Sequence, residues 1–434
     1  MNKKIFAKPL IITGVILFSI SVYMVYITGA SIKNRNQAIQ TIDTHLTTYV
    51  SNPFENSALS QEAPLTEIQN EALYSYQATD TLMFLSHSEQ WDEVKLQELY
   101  NELLQNKHGE EMTTLHEVVV WPQADENALA THSSDVLAQS LKVNFGALPE
   151  DFQLDFMRSI SLIALYDGDE KNTIESMASA LSHEYGHLYT FYYMFDAANL
   201  DLADTEYSQL REYDKYDLIT TAFPALDYWE NHHRYLFEVA ANDYVQLMGS
   251  PTARQTTAIQ DVRQLINSGA NPSPEGQYIG NGLIPQENLK IPLASEVDGL
   301  SKYFHQFIGE EAPVPTSPRN EITITIEPGS QGYDLIDGYR NFVYYDLKWN
   351  TPYQDATYIL VCYDAGDYLI QPIKTVLAGQ ESVATIGTVT RNKGDHITYM
   401  SDEHDQGTKI FLVLALLPDG TYYSSEALEY TFPQ

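Results

Sequence analysis

Two histidines and a glutamate stand close together in the run His183-Glu184-Tyr185-Gly186-His187. On a helix, residues four positions apart lie one above the other on the same face, so His183 and His187 can grip one metal ion. Two imidazoles suit neighbouring corners of a tetrahedral zinc site. A carboxylate beside the first ligand, here Glu184, can reach a water molecule at the open corner. The spacing therefore predicts a zinc site with Glu184 as catalytic base.

A single predicted helix, Asn172 to Phe195, positions this run. Asn172 begins the helix, and Glu175 three residues later completes a capping box. Gly186 costs about 1 kcal/mol relative to Ala in a helix interior, which packing against a neighbouring backbone would offset. The alternative is that both histidines fill or cap a core. Apolar residues recur at helical spacing along the segment, namely Ile174, Met177, Leu181, Leu188 and Phe191.

The stretch Ser182 to His187 resembles the active-site helix of the zincin metallopeptidases. The metzincin branch needs Gly three residues and His six residues after the second histidine, and Thr190 and Tyr193 occupy those positions here. Metzincins are therefore disfavoured. The gluzincin branch takes its third metal ligand from a glutamate on a later helix. The resemblance thus implies that one downstream glutamate completes the site.

Glu238 is the best candidate for that third ligand, because it lies among Leu236, Phe237, Val239 and Ala240. A lone carboxylate in apolar surroundings is costly to bury unless a cation compensates it. The alternative for Glu238 is an exposed position on a helix. Three other downstream glutamates lie in more polar sequence and are weaker candidates: Glu206, Glu212 and Glu230.

Further roles follow from the same resemblance. Glu184 would take a proton from a zinc-bound water and pass it to the leaving nitrogen of a peptide bond. Thermolysin-like enzymes place an Asp four residues after the ligand glutamate to orient a histidine; this chain has Asn242 there and Asp243 next, and either is a candidate. A set of four residues that precede Glu238 could donate a hydrogen bond to a developing oxyanion: His232, His233, Arg234 and Tyr235. For each of them alone, a role on the surface or in the core is an equal alternative.

The amino-terminal segment predicts a membrane anchor. Lys3, Lys4 and Lys8 precede an uncharged run from Pro9 through Ile32. About 20 apolar residues cross a bilayer, whereas a secretory signal core has about 7 to 15, so we expect a retained single-pass anchor with the bulk extracytoplasmic. Cleavage after Ala30, which would secrete the protein, is the alternative. Residues 31–64 are polar and predict a spacer.

Composition narrows the class of partner. The formal net charge of −35 argues against nucleic-acid and anionic-membrane partners. Cys362 is the only cysteine, so there is no intrachain disulfide, and its place in a predicted strand gives no support to a cysteine hydrolase. Asp167 and Asp169 weakly suggest calcium, but a turn leading into the helix is favoured because a full set of oxygen ligands is missing.

Residues 65–312 predict an α+β zincin-like catalytic domain, mainly helical around the motif. The expected helices and strands are listed here: helices Leu65–Leu85, Trp91–Gln105, Trp229–Met248, Thr256–Ile266 and Val297–Ile308, and strands Glu117–Trp121 and Ser159–Tyr166.

A linker at residues 313–320, marked by three prolines, predicts a boundary, and residues 321–434 predict an all-β sandwich. Its expected strands are Ile322–Ile326, Phe342–Trp349, Tyr358–Tyr363 and Lys409–Leu417. This pattern resembles a fibronectin type III module, although Lys409 occupies the usual tyrosine-corner position and leaves immunoglobulin-like alternatives open. We expect this region to fold independently, to serve targeting or spacing, and to offer a surface for a cell-surface partner.

The sequence as a whole therefore predicts a membrane-anchored, extracytoplasmic zinc peptidase that acts on a peptide or protein substrate. The alternative is a surface adhesin or binding protein that keeps a degenerate zincin domain.

Overall fold

The computed structural model describes residues 72–125, 130–132, 161–194, 202–221, 228–255, 284–334, 339–364, 371–393, 395–401 and 407–432. The chain divides into two compact units, Met1–Ala72 with Ser133–Ser161, and Leu73–His132 with Leu162–Gln434, and nearly all described residues belong to the second. The predicted anchor, the spacer and the helix Thr256–Ile266 lie outside the described residues. No helix within the described ranges is long and apolar enough to span a membrane.

A five-stranded sheet forms the first part of this unit. Its strands are β1 (Tyr74–Gln77), β2 (Met83–Ser86), β3 (Leu115–Val120), β4 (Ala130–His132) and β5 (Ser161–Leu165), in the order β1-β2-β3-β5-β4. β2 and β3 are parallel, and the two outer pairs are antiparallel. β3 and β5 are buried along their whole length, as expected for central strands. Both of these strands were predicted, and both are confirmed.

The predicted helix Leu65–Leu85 is wrong in its described part. β1 and β2 pair as an antiparallel hairpin in which Tyr74 lies opposite Ser86. The hydroxyl of Thr79 closes the turn, because it accepts hydrogen bonds from the backbone N–H of Thr81 (3.3 Å) and Leu82 (3.0 Å). Aromatic strand residues and a polar turn outweigh the weak helical periodicity here.

Seven α-helices are described, and the bounds of each follow. They are α1 (Glu93–Leu103), α2 (Ile174–Tyr193), α3 (Glu206–Leu210), α4 (Tyr228–Asn231), α5 (Leu236–Met248), α6 (Pro251–Arg254) and α7 (Leu300–Phe307). Short 3₁₀ helices lie at Glu110–Thr114, Leu202–Asp204, His232–Arg234 and Ala294–Glu296. The predicted helices Trp91–Gln105 and Val297–Ile308 are confirmed as α1 and α7.

The motif helix α2 is confirmed, but its cap lies one residue later than predicted. Thr173 and Ser176 form the capping box, with the Thr173 hydroxyl accepting from the N–H of Ser176 at 3.2 Å. Asn172 instead bonds the carbonyl oxygen of Asp169. Thr173 has the extended backbone that an N-cap requires, so the helix begins after it.

The predicted helix Trp229–Met248 is interrupted, which corrects the sequence interpretation. Tyr235 is extended (φ −68°, ψ 126°) and forms an isolated parallel bridge with Ile219. The N–H of Leu236 donates to the carbonyl of Ile219 at 2.9 Å, and the N–H of Ile219 donates to the carbonyl of Arg234 at 2.8 Å. This pairing with a distant segment draws Tyr235 out of helical geometry and separates α4 from α5.

Helices α2 and α5 cross at Gly186. A Cβ atom on Gly186 would lie 2.9 Å from the carbonyl oxygen and 3.1 Å from the Cα of Ala241, which belongs to α5. Real Cβ contacts are longer than this, so only glycine permits the crossing as it stands. The predicted close approach of a neighbouring backbone to Gly186 is therefore confirmed.

The remaining strands form a β-sandwich of two sheets. They are β6 (Ile324–Asp334), β7 (Tyr339–Trp349), β8 (Thr357–Asp364), β9 (Gln371–Leu377), β10 (Val383–Lys393), β11 (Asp395–Ser401), β12 (Thr408–Leu416), β13 (Tyr422–Ser424) and β14 (Leu428–Thr431). One sheet has the order β11-β10-β7-β6, and the other has β13-β12-β8-β9 with β14 also paired to β12. The four predicted strands correspond to β6, β7, β8 and β12, and the other five were missed.

Both faces of the sheet that contains β8 and β12 are buried. Leu360, Cys362 and Val413 face the core between the two sheets. Their neighbours on the opposite face contact residues 284–296, which we call the strap. The contacts comprise Ile284, Leu289 and Leu293 of the strap with Ile359, Val361, Leu412, Leu414, Leu416 and Tyr422 of the sandwich. The strap thus covers the outer face of one sheet.

Candidate metal centre

Helices α2 and α5 bring together the three predicted metal ligands. Nε2 of His183 lies 3.2 Å from Oε2 of Glu238, and Nε2 of His187 lies 3.3 Å from the same oxygen. The three donor atoms lie within 4.8 Å of one another, and Glu238 is only 2 % exposed. Two residues on α2 and one on α5 therefore point their donor atoms at a common position.

The donor set and its spacing fit zinc. With zinc–ligand distances of about 2.0–2.1 Å, neighbouring corners of a tetrahedron lie about 3.3–3.4 Å apart. The separations of 3.2 and 3.3 Å between the histidine nitrogens and the Glu238 oxygen are close to that value. Two imidazoles and one carboxylate are also the donor types of catalytic zinc sites. Among the described residues, these three form the one cluster of potential ligand side chains arranged to hold a metal ion.

Asn242 and Asp243, the two candidates to orient a histidine, occupy different environments. Oδ1 of Asn242 lies 3.1 Å from Nδ1 of His183. A proton on Nδ1 donated to Asn242 leaves the lone pair of Nε2 directed at the metal position. The carboxylate of Asp243 instead accepts from Nε of Arg211 at 2.7 Å and from the hydroxyl of Tyr207 at 2.6 Å, in a buried cluster.

Three further residues surround the ligands. The hydroxyl of Tyr228 donates to Oε1 of Glu238 at 2.5 Å, which leaves Oε2 facing the histidines. Nε2 of His232, a predicted candidate, lies 3.2 Å from Oε2 of Glu238. Nδ1 of His232 lies 2.8 Å from Oε2 of Glu287 in the strap. Sequence reasoning missed roles for Tyr228 and Glu287, because neither lies in a motif and both reach the site only through tertiary contacts.

Of the other three candidates near Glu238, Tyr235 is buried, whereas His233 and Arg234 are partly exposed. Arg234 pairs with Asp217 at 2.5 Å. Tyr235 is buried against the rings of Tyr228 and Phe237, with ring centroids 5.3 Å away in each case. Burial lowers the pKa of His233 to about 4, so this imidazole is neutral at physiological pH.

The alternative third ligands are placed differently from Glu238. Glu206 and Glu212 are exposed, and Glu212 pairs with Lys215 at 2.6 Å. The side chain of Glu230 lies outside what the structure describes.

The two buried carboxylates of the site have opposite electrostatic environments. Burial raises the pKa of Glu184, and the neighbouring His183 and His187 only partly oppose this. Burial also acts to raise the pKa of Glu238, but the charges of His187 and His232 and the hydrogen bonds from His183 and His187 hold it well below its usual range. Glu238 is therefore a stable anion suited to a cation, while Glu184 is the more basic carboxylate.

A further histidine, His132, approaches the site from the edge strand β4. Its ring centroid lies 6.1 Å from that of His187 and 6.2 Å from that of Phe191. Burial lowers the pKa of His132 to about 3, so it is neutral beside the ligand. Sequence reasoning missed His132 because nothing near it in the chain marks it as functional.

The two aspartates considered for calcium lie in the turn before α2. Asp167 has a positive φ of 67° and lies 3.8 Å from Nζ of Lys171. Asp169 accepts a hydrogen bond from the hydroxyl of Ser88 at 2.7 Å. Asp167 thus has a partner within this segment, and Asp169 has one in Ser88, which follows β2.

No protein-family model matches this sequence, and no curated protein matches it. Among solved structures, the chain is similar to the sensor domain of the anti-sigma factor RsgI4 from Pseudobacteroides cellulosolvens, with 15 % identity, a TM-score of 0.14, and coverage of 27 % of this chain and 97 % of that chain. It is also similar to a beta-glucosidase from Listeria innocua, with 12 % identity, a TM-score of 0.11, and coverage of 30 % of this chain and 19 % of that chain.

Proposed function

We propose that this protein is a zinc-dependent peptidase of the gluzincin type, with His183, His187 and Glu238 as zinc ligands and Glu184 as the catalytic base. The convergence of two histidine nitrogens on one buried carboxylate oxygen, at 3.2 and 3.3 Å, carries the proposal. Glu184 follows the first ligand on the same helix and is buried, which suits a base of raised pKa.

Each residue of the site would have its own part in peptide hydrolysis. A bound zinc ion supplies a Lewis acid that polarises the peptide carbonyl and makes water more acidic. Glu184 accepts the proton of the attacking water and delivers it to the leaving nitrogen. Asn242 and Tyr228 hold His183 and Glu238 in orientation through their hydrogen bonds. When the His232 ring carries both protons, Nδ1 donates to Glu287 and Nε2, which is directed at the same position, is suited to donate to an oxygen of the substrate.

We also propose a finer fold assignment for each of the two parts of the chain. The sheet of β1 to β5 followed by the motif helix α2 and the glutamate helix α5 supports a zincin-like catalytic domain. In the sandwich, β6, β7 and β10 lie in one sheet and β9, β8, β12 and β14 in the other. This strand order supports a fibronectin type III-like or immunoglobulin-like module.

Metal analysis and peptide hydrolysis test the proposal on the whole exported chain. The parent should hold about one equivalent of zinc, and His187→Ala and Glu238→Ala should lose it, because each removes one of three ligands. Glu184→Gln should keep zinc yet lose hydrolysis by about 10²-fold or more, since it removes only the base. Glu206→Gln, an exposed glutamate on α3, is the matched control and should change neither property.

Three results would overturn all or part of this assignment. Full zinc content in Glu238→Ala would exclude Glu238 as the third ligand. Parental hydrolysis by Glu184→Gln would exclude it as the base. A parent chain that holds zinc but cleaves nothing in a broad peptide library would favour the binding-protein alternative.

A further inference from the structure

Glu287 links the strap to the metal centre. It is 8 % exposed, and its Oε2 lies 2.8 Å from Nδ1 of His232. Because Glu287 bonds one ring nitrogen of His232, the other nitrogen, Nε2, faces Glu238 at 3.2 Å. The orientation of His232 in the site therefore depends on where the strap holds Glu287.

The strap is fastened to the glutamate helix α5 through Gln246. Nε2 of Gln246 donates to the carbonyl of Pro285 at 3.0 Å and to Oε1 of Gln286 at 2.9 Å. Its Oε1 accepts from the N–H of Ala294 at 3.0 Å. Arg211 adds a bond to the carbonyl of Pro292 at 2.7 Å. These bonds flank Glu287 on both sides.

The opposite side of the strap is fastened to the β-sandwich. The buried carboxylate of Glu296 accepts hydrogen bonds from the backbone N–H of Ser424 at 2.7 Å and from its hydroxyl at 2.9 Å. The hydroxyl of Ser295 donates to the carbonyl of Tyr422. Three apolar strap residues also cover the outer face of β8 and β12. Polar and apolar contacts thus join the strap to three strands.

The strap covers the outer face of the sheet that contains β8 and β12, which indicates that the sandwich does not work alone. Without the strap, β8, β12 and β13 would present six apolar side chains to water, all now buried. Soluble domains rarely leave such a continuous apolar patch uncovered. The sheet is therefore built to receive the strap on its outer face.

We propose that the β-sandwich is a working part of the active site: it holds the strap in place, and the strap's Glu287 positions His232 beside Glu238. This inference rests on the proposed peptidase function. Glu287 acts through His232 and is a positioning residue. Under this proposal the sandwich does more than the targeting or spacing expected from the sequence.

Two matched pairs of substitutions in the same two strands test the proposal. Leu414→Ala and Val361→Ala shorten side chains that face the strap, whereas Leu360→Ala and Val413→Ala make the same changes on the face toward the sandwich core. All four side chains are fully buried. The strap-facing variants should lower kcat about tenfold with little change in KM, and the core-facing variants should keep kcat at temperatures where all are folded.

Glu287 itself gives a direct test. Glu287→Ala should lower kcat by about 10- to 100-fold while zinc content stays near one equivalent. Glu287→Gln keeps an oxygen that accepts the Nδ1 proton, so it should recover most of the loss. A merely structural role for Glu287 would give parallel losses of stability and activity in both variants, without this recovery.

Hydrogen exchange separates failure of this inference from failure of the proposed function. Amides of residues 228–236 and 284–296 should exchange faster in the strap-facing variants than in the parent, and not in the core-facing ones. This readout needs no peptidase activity, so it decides the coupling even if the parent cleaves no peptide. Equal effects on exchange and on kcat for both faces of the sheet would overturn the proposal.

Discussion

Gly186→Ala tests whether the crossing of α2 and α5 sets the geometry of the metal centre. At a free helix position this change would stabilise the protein by about 1 kcal/mol through helix propensity. Here the new Cβ would lie 2.9 Å from the oxygen of Ala241 and 3.1 Å from Cβ of Tyr244. Overpacking of this kind costs about 1–3 kcal/mol, so we expect a net destabilisation of up to about 2 kcal/mol.

The clash also has a consequence for zinc, because Glu238 lies three residues from Ala241 on the same helix. Ordinary contact begins near 3.4 Å, so relieving the 2.9 Å contact moves α5 by 3.4 − 2.9, or about 0.5 Å. Zinc sites tolerate deviations of about 0.2 Å in ligand distance. We therefore expect a loss of about tenfold or more in zinc affinity.

Urea unfolding of the metal-free protein and a zinc competition titration measure the two effects separately. Ala180→Gly, the reverse change at a partly exposed position of the same helix, isolates the propensity effect and should cost about 1 kcal/mol with unchanged zinc affinity. If Gly186→Ala is instead more stable than the parent by about 1 kcal/mol and binds zinc equally well, the crossing does not set the site.

Three further predictions follow, two from contacts in the structure and one from the sequence. Asn242→Ala removes the acceptor for Nδ1 of His183 and should lower zinc affinity by about 10- to 100-fold in a competition titration, whereas Asn242→Asp, which keeps an acceptor, should not. Arg211→Met leaves the carboxylate of Asp243 buried without its cation, so the free energy of unfolding measured in urea should fall by about 3–5 kcal/mol. A fall of less than about 1 kcal/mol would show that Asp243 does not need Arg211 to remain buried. For topology, we propose that residues 9–29 anchor an otherwise extracytoplasmic chain, so protease treatment of intact cells should remove its bulk while amino-terminal sequencing finds no cleavage; a mature terminus at Ser31 would exclude the anchor.

Most of what could be predicted about the candidate metal centre came from the local spacing of residues. His183, Glu184 and His187 share one helix, so their relation is set within five residues. Glu238 was predicted to lie with them because a carboxylate among apolar neighbours is costly to bury without a compensating cation. Tyr228 contacts Glu238, and Glu287 contacts His232, only because the fold brings these segments together. No local pattern identifies such partners.

The break in the predicted helix at Tyr235 also comes from a contact between distant parts of the chain. Residues around it favour a helix locally, but the bridge to Ile219, in a separate part of the chain, overrides that preference. In the sandwich, by contrast, the sequence holds a signal beyond the strands themselves. Tyr358–Tyr363 and Phe411–Leu417 are continuous apolar runs without the alternation of a half-exposed strand, which indicates burial on both faces. These runs indicate that another segment covers the outer face of the sheet, but they do not identify residues 284–296 as that segment.

The order of the chain gives the strap a consequence for synthesis. Residues 183, 187 and 238 leave the ribosome before the strap, and the strands that hold the strap, β8, β12 and β13, come later still. Domains generally fold in the order in which they are made. The three proposed metal ligands are thus made early, whereas the support of His232 is complete only after β12 and β13 are made. A chain that ends before β12 would therefore contain all three proposed ligands but lack the strands that hold the strap and its Glu287.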